Sequence, residues 1–385
     1  MVRLIMGVGL TQVGFHLFIV SLPLALLAAG RPDAGIGALM GVAALTQVAA
    51  AFVAGGLIDR FGGRLVLLGG ATAFLSASAL LVSGVAVADG SITPLVAVRV
   101  LQGIGIAACM PAALSLVPGM VPALRLAPAL AVVGVAANMS LALSPPISLA
   151  VLHGASLQVV AAMAMAGVAA GVVLVWPLGR ADQAARSAGP RVSRTFRPAW
   201  RRAWAAPLAM SALFVAHWGV LTGYLPQRAT ADGADVGLFF TADAIGVLLA
   251  RIPAGMLVER LGPRLLIVAG LAVTIAGLLV LLLPPTTPLL LAAGAATGIG
   301  AALIVPPVTF ELSRRSDDSD RGSAFALFAV AFSVGVALGS IGIAPIFDRV
   351  GFEVALVAGI GACILAAVLA VVDPELRRQP AQARA

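Results

Sequence analysis

Few groups in this 385-residue chain can hold or move a charge away from water, and each of them interrupts a long apolar run. Asp243 is the clearest. It stands about 10 Å, by helical rise, inside the run 236–257, where a carboxylate can take up and release a proton as water reaches and leaves it. His16 and His217 come next, since imidazole titrates near neutrality; a lone histidine in a helix serves equally as a hydrogen-bonded packing group. Arg99 is followed three and four positions on by Gln102 and Gly103, which share its helical face. A guanidinium in hydrocarbon costs at least ~2.5 kcal/mol, so Arg99 either turns inward to polar company or snorkels to the headgroups. Arg251 lies two turns beyond Asp243, too far along a helix axis for a direct pair. Glu311 and Asp33 fall near the ends of apolar runs and are expected to be solvated. Cys109 and Cys363, the only cysteines, sit inside apolar runs and suit packing; they build neither a disulfide framework nor a metal site.

The elements that position these residues must be membrane helices. The chain is 61% hydrophobic and only 10% charged, far too little charge for a water-facing surface. A span takes ~20 apolar residues, which allows about twelve in this length. The runs are continuous and rich in Ala, Leu, Val and Gly, unlike the alternating strands of a membrane barrel. The spans drawn from hydropathy are 4–29, 34–57, 65–87, 92–116, 127–152, 157–178, 204–226, 236–257, 265–284, 288–310, 323–346 and 352–372. The first begins almost at Met1, is longer than a signal-peptide core and is expected to be permanent. Prolines such as Pro23, Pro111 and Pro306 predict kinks within spans.

Charge sets the orientation. The formal net charge is +8, and nearly every arginine falls between apolar runs, as topology requires and nucleic-acid binding does not. With the N-terminus inside, Arg3, Arg60, Arg64, Arg125, Arg260, Arg264, Arg314 and Arg315 are cytoplasmic, against Arg31, Arg228 and Arg349 outside. Both termini are then cytoplasmic. Segment 179–203 carries seven further arginines, an anchor against anionic headgroups. It separates an N-terminal bundle of six spans, 1–178, from a C-terminal one, 204–385. The arginine-only basic usage and abundant alanine fit a GC-rich bacterium and hence its plasma (inner) membrane.

The two halves are copies. Residues 55–65, GGLIDRFGGRL, recur 200 positions on as GMLVERLGPRL, with Gly55, Asp59, Arg60 and Arg64 facing Gly255, Glu259, Arg260 and Arg264. Gly103-Ile104-Gly105 with Pro111 recurs 195 positions on as Gly298-Ile299-Gly300 with Pro306. Inside apolar runs with no preceding strand, such glycines predict close helix contact rather than a dinucleotide loop. Duplicated membrane halves with a charged turn between helices are a transporter's organisation.

On these residues the chain resembles the major facilitator superfamily along essentially its whole length. Gly55, Leu57, Asp59, Arg60, Gly62 and Arg64 match the family's loop signature, with Gly63 in place of a second basic residue. The resemblance implies an all-α membrane fold of twelve helices in two pseudo-symmetric six-helix bundles. It also implies a conformational gate: Asp59 and Arg64 against the helix beginning near Gly322-Ser323, and Glu259 with Arg260 and Arg264 against the fifth span near Arg125. Arg99-Val-Leu-Gln102-Gly103-Ile-Gly105-Ile-Ala107 is similar to the fourth-span signature, which implies that Arg99 faces the cavity and shares in proton coupling with Asp243, His16 and His217. The spans that line the path in this family offer Gln12, His16, Arg99, Gln102, Met110, His217, Trp218, Tyr224 and Thr297, with Asn138 nearby. That mixture suits a partly apolar organic solute carrying one or two polar groups. Ser144-Pro145-Pro146 resembles the glycine-proline pair of exporters, with serine replacing the glycine, and predicts a hinge-like fifth span. The expected activity is export of a small drug or metabolite by proton antiport, by a monomer without cofactor; import of a sugar or organic acid by symport is the alternative. A membrane-embedded enzyme would need a cluster of catalytic side chains at a membrane face, and ATP-driven transport a phosphate-binding loop with its lysine. The chain has no lysine.

Overall fold

A computed structural model describes residues 1–31, 33–84, 92–122, 126–179, 200–231, 233–316 and 321–377. Among them are fourteen α-helices and no strand: α1 Val2–His16, α2 Phe18–Ala28, α3 Asp33–Phe61, α4 Gly63–Val82, α5 Thr93–Leu116, α6 Leu126–Gly154, α7 Leu157–Val175, α8 Ala205–Ala231, α9 Val236–Leu261, α10 Pro263–Val280, α11 Thr287–Arg314, α12 Arg321–Ser340, α13 Ala344–Val372 and α14 Pro374–Arg377. Nine stretches of the described residues are long and apolar enough to cross a bilayer; α1 and α2 form one of them, Val2–Ala28. Shorter apolar helices cover Gly35–Ala51 and Leu327–Ser340. This is a multi-pass helical membrane protein.

Two expected spans end too early. The runs 34–57 and 236–257 stop where hydrophobicity fails, yet α3 and α9 continue through the charged residues to Phe61 and Leu261. Each helix ends only where a glycine turns to positive φ, Gly62 at 89° and Gly262 at 79°, a conformation that costs glycine little. The next helix starts at once, so both copies of the motif form the same abrupt corner.

Contacts divide the chain into two compact units, Met1–Arg31 with Val42–Arg197, and Pro32–Gly41 with Pro198–Ala385. In the first unit α1 lies on α7 through glycine: a methyl group at Gly14 would sit 2.8 Å from the Ala164 carbonyl. Phe15 and Phe18 then close on Phe74 of α4, with ring centroids 4.3 and 6.0 Å apart. In the second unit Gly335 and Gly339 of α12 abut the carbonyls of Ala212 and Ala216 on α8. Gly37 lies against the Tyr224 ring, so the first turns of α3 pack in this unit.

The repeat seen in sequence reappears as packing. A methyl group at Gly103 would approach the Ala43 carbonyl to 2.7 Å, and one at Gly298 would run into the carbonyl of Asp243, the residue equivalent to Ala43. A methyl group at Gly105 would lie 2.9 Å from Gly70 O, and one at Gly300 2.7 Å from the equivalent Gly270 O. Such close backbone approach is what holds helices together where lipid removes the hydrophobic drive. Gly298→Ala is therefore expected to lower the unfolding free energy by about 1–3 kcal/mol. Gly255→Ala, which meets nothing within 4 Å, should leave it nearly unchanged; denaturant titration in detergent compares the two.

Candidate functional site

Each unit places one ionic group and one hydrogen-bonding partner between its helices, and the partners occupy equivalent positions of the repeat. In the first unit Arg99 Nη1 donates to Gln102 Oε1 at 2.8 Å, one turn on along α5. Arg99 is 8% exposed and Gln102 1%, so the guanidinium has turned into the unit rather than snorkelled. In the second, Thr297 of α11 donates to Asp243 Oδ1 of α9 at 2.7 Å. Thr297 is the repeat equivalent of Gln102, while the ionic groups are exchanged: Arg99 corresponds to Gly294, and Asp243 to Ala43. At these two nodes the first unit carries the cation and the second the carboxylate.

The second node suits a proton. Thr297 Oγ1 also lies 3.0 Å from Gly294 O, so its single hydrogen has two acceptors. An ionised Asp243 receives that hydrogen. A protonated Asp243 can donate to the hydroxyl oxygen instead, and the threonine hydrogen then turns to Gly294 O. Both protonation states keep their hydrogen bonds, and Asp243 is only 7% exposed.

The other expected residues are distributed unevenly. His16 Nδ1 lies 2.8 Å from Ser140 Oγ on α6. Ser144 Oγ bonds Ser140 O at 2.6 Å and Val13 O at 3.1 Å, tying α1 to α6 where the Ser144-Pro145 hinge was expected. Oε1 of Gln12 and Nε2 of Gln102 are buried and find no partner among the described residues. α1, which carries Gln12, packs on α5, which carries Gln102. His217 Nδ1 meets the Phe214 carbonyl, with Cys363 Sγ 3.8 Å away on α13, an environment of packed helices. Tyr224 is fully buried: its hydroxyl donates to Ser340 O at 2.6 Å and its ring stacks on Phe347 at 4.1 Å. Trp218 packs edge-on against Phe240 at 5.7 Å. At the charged corner Arg64 Nε donates to Trp176 O at 2.8 Å and its guanidinium lies 5.0 Å from the Trp176 ring; Arg60 covers Phe61 at 5.1 Å. Arg260 is exposed and Arg264 partly so. The side chains of Asp59, Glu259, Asn138, Asp33 and Ser323, the surroundings of Gly322, and Arg125 altogether, lie outside the described residues, so the gate contacts expected for them do as well.

One expectation is overturned. Glu311 is not solvated but fully buried, because Arg315 and Arg314 one turn on fold back over it. Arg315 binds Glu311 Oε2 at 3.1 Å and Asp373 Oδ2 at 2.9 Å, and its Nη1 donates to Ala203 O at 3.1 Å. Trp204 Nε1 donates to Arg315 O at 3.2 Å. The spacing of Glu311 to Arg314 and Arg315 signals a helical ion pair, but only the fold brings Asp373 and the start of α8 to it.

Duplicated helix packing with ionic groups buried among apolar helices is an organisation that membrane transporters use. The profile of the Major Facilitator Superfamily matches residues 4–232 and 218–385, and the chain belongs to that family. Its substrate is accordingly a small molecule. No curated protein matches it in sequence. Among solved structures, a point mutant of the peptide transporter POT superposes with a TM-score of 0.78 at 14% identity, over 97% of this chain and 94% of that one. A point mutant of the nucleoside transporter NupG gives 0.71 at 12%, over 96% and 98%. A POT family transporter in complex with 5-aminolevulinic acid gives 0.74 at 13%, over 96% and 94%. At such identities the likeness is one of fold.

Proposed function

We propose that this protein exports small organic molecules by proton antiport, its twelve spans forming two six-helix bundles that expose a shared site to each side of the membrane in turn. The observation that carries the reading is the Asp243–Thr297 pair, a buried carboxyl whose neighbour accommodates it with and without its proton. Arg99 supports it. The guanidinium, the free Nε2 of Gln102 and the free Oε1 of Gln12 offer two donors and an acceptor to a solute that is otherwise surrounded by apolar side chains. Burial without partners is costly for such amides, and a polar cargo group or a water relieves it. The bilayer is the bacterial plasma membrane, by the arginine-only, alanine-rich composition, and both termini lie on its cytoplasmic side, by the distribution of arginines. Asp59, Arg60 and Arg64, with Glu259, Arg260 and Arg264, act as the latch that alternates with the cargo cycle.

Transport in inverted and right-side-out vesicles under an imposed pH gradient tests this, screened over amphiphilic drugs and organic acids. Accumulation in inverted vesicles that collapses with the gradient is the expected result. Uptake only into right-side-out vesicles would establish the symporter instead, and accumulation indifferent to the gradient would remove the proton. Arg99→Gln is expected to lower cargo affinity at least tenfold, read as a raised KM in the same vesicles.

A further inference from the structure

Gln227, near the end of α8, is 5% exposed, and neither Oε1 nor Nε2 of its amide finds a hydrogen-bond partner. An amide that gives up water and gains nothing in exchange destabilises whatever packing encloses it. The residue one turn earlier on the same face of α8 is Gly223. A methyl group there would lie 3.5 Å from the Cα of Gly37 and 3.7 Å from the Cβ of Ser340. Neighbouring Tyr224 donates to Ser340 O and lies against Gly37, and Gly41, a turn further along α3, abuts Ser340 and Ile341. Small residues thus close a seam between the first turns of α3, α8 and the end of α12, and Gln227 continues its face toward the end of α8.

At this seam a single helix changes company. α3 runs unbroken from Asp33 to Phe61, yet Pro32–Gly41 belongs to the second unit and Val42 onward to the first. Any movement of one unit against the other therefore parts the seam or bends α3 near Gly41. We propose that Gln227 is a built-in counterweight to closure of the seam: its amide, unpaired while the seam is shut, is hydrated once the first turns of α3 lift from α8 and α12. Residue 227 then sets how readily the protein leaves this conformation, since removing the unpaired group favours the shut state alone. The inference rests on the alternating exposure proposed above and assigns part of its balance to one side chain.

Ser340→Cys supplies the reporter, because Ser340 is fully buried in the seam and its hydroxyl bonds within α12, to Val336 O at 2.8 Å, as a thiol can. The full-length protein in lipid nanodiscs meets a hydrophilic maleimide on both faces. Modification of each cysteine is followed by peptide mass spectrometry, with buried Cys109 and Cys363 as references for unfolding. The reporter is expected to react about tenfold faster than either reference or more, because the seam parts without unfolding. Gln227→Met keeps the length of the side chain and removes its polar atoms. It should slow the reporter about fivefold or more without lowering the thermal midpoint. Gln227→Leu should do the same and carries the test should the methionine variant not fold. A reporter that keeps its wild-type rate in the folded variant, or gains speed, would overturn the proposal and leave alternating exposure standing. A wild-type reporter no faster than Cys363 would overturn both, since the seam would then stay shut in every folded state.

Discussion

Asp243→Asn is expected to reduce proton-driven accumulation at least tenfold while leaving the protein folded. Asparagine has the same shape, and its Oδ1 can still accept from Thr297, so the contact between α9 and α11 survives. What is lost is the ability to release a proton, the one property that the Asp243 carboxyl adds to the equivalent Ala43 of the first unit. Gradient-independent exchange of labelled for unlabelled cargo should persist, because it needs binding and alternation but no net proton movement. Thr297→Val is the companion: it retains the carboxyl, removes the hydroxyl that serves both its states, and should cost proton-linked flux a few-fold. The measurement is flux in inverted vesicles with and without a pH gradient, beside a thermal unfolding curve for each variant. Undiminished gradient-driven flux from a stable Asp243→Asn protein would exclude Asp243 as the carrier.

The largest expected effect on stability lies elsewhere in the second unit. Arg315→Met removes the cation that joins Glu311, Asp373 and the Ala203 carbonyl. Glu311 keeps Arg314 at 2.8 Å, but Asp373, 5% exposed, keeps among the described residues only the amide of Glu375. Leaving one member of a buried ion pair alone costs about 3–5 kcal/mol, more than the pair itself contributes. The thermal midpoint in detergent should fall by several degrees, and limited proteolysis should open first near Asp373, where α13 ends. Replacing Glu311, Arg315 and Asp373 together by apolar residues of similar volume should restore most of the loss, since no charge is then stranded. A midpoint unchanged in Arg315→Met would show that water already screens the cluster.

Two kinds of feature were legible before any coordinates. The motif copies at 55–65 and 255–265 announced a duplicated unit, and the paired glycines announced where helices touch; Gly103 and Gly298 do touch equivalent neighbours. Asp243 stood out because a carboxylate in a long apolar run has no ordinary reason to be there. The partner of Asp243 was within reach too, since Thr297 is the repeat equivalent of the glutamine that follows Arg99, and matching the two copies position by position points to it. By contrast Tyr224 had the type and place of a cavity residue, and only the fold shows its hydroxyl spent on Ser340 and its ring on Phe347. Glu311 lay near a span end where water is the default partner, and tertiary contacts from α8 and α13 closed over it.

Class, family and the internal repeat were thus determined by sequence alone, because hydropathy, charge placement and glycine spacing are properties of the chain taken one stretch at a time. Which side of each helix is buried, and against what, was decided only by the tertiary structure. In a soluble helix a polar stripe marks the outer face. Here lipid makes the outer face as apolar as the inner one, so the pattern carries no such mark. The joining of Asp243 to Thr297, the closing of Arg315 over two acids and the burial of the Gln227 amide arise only where particular faces meet.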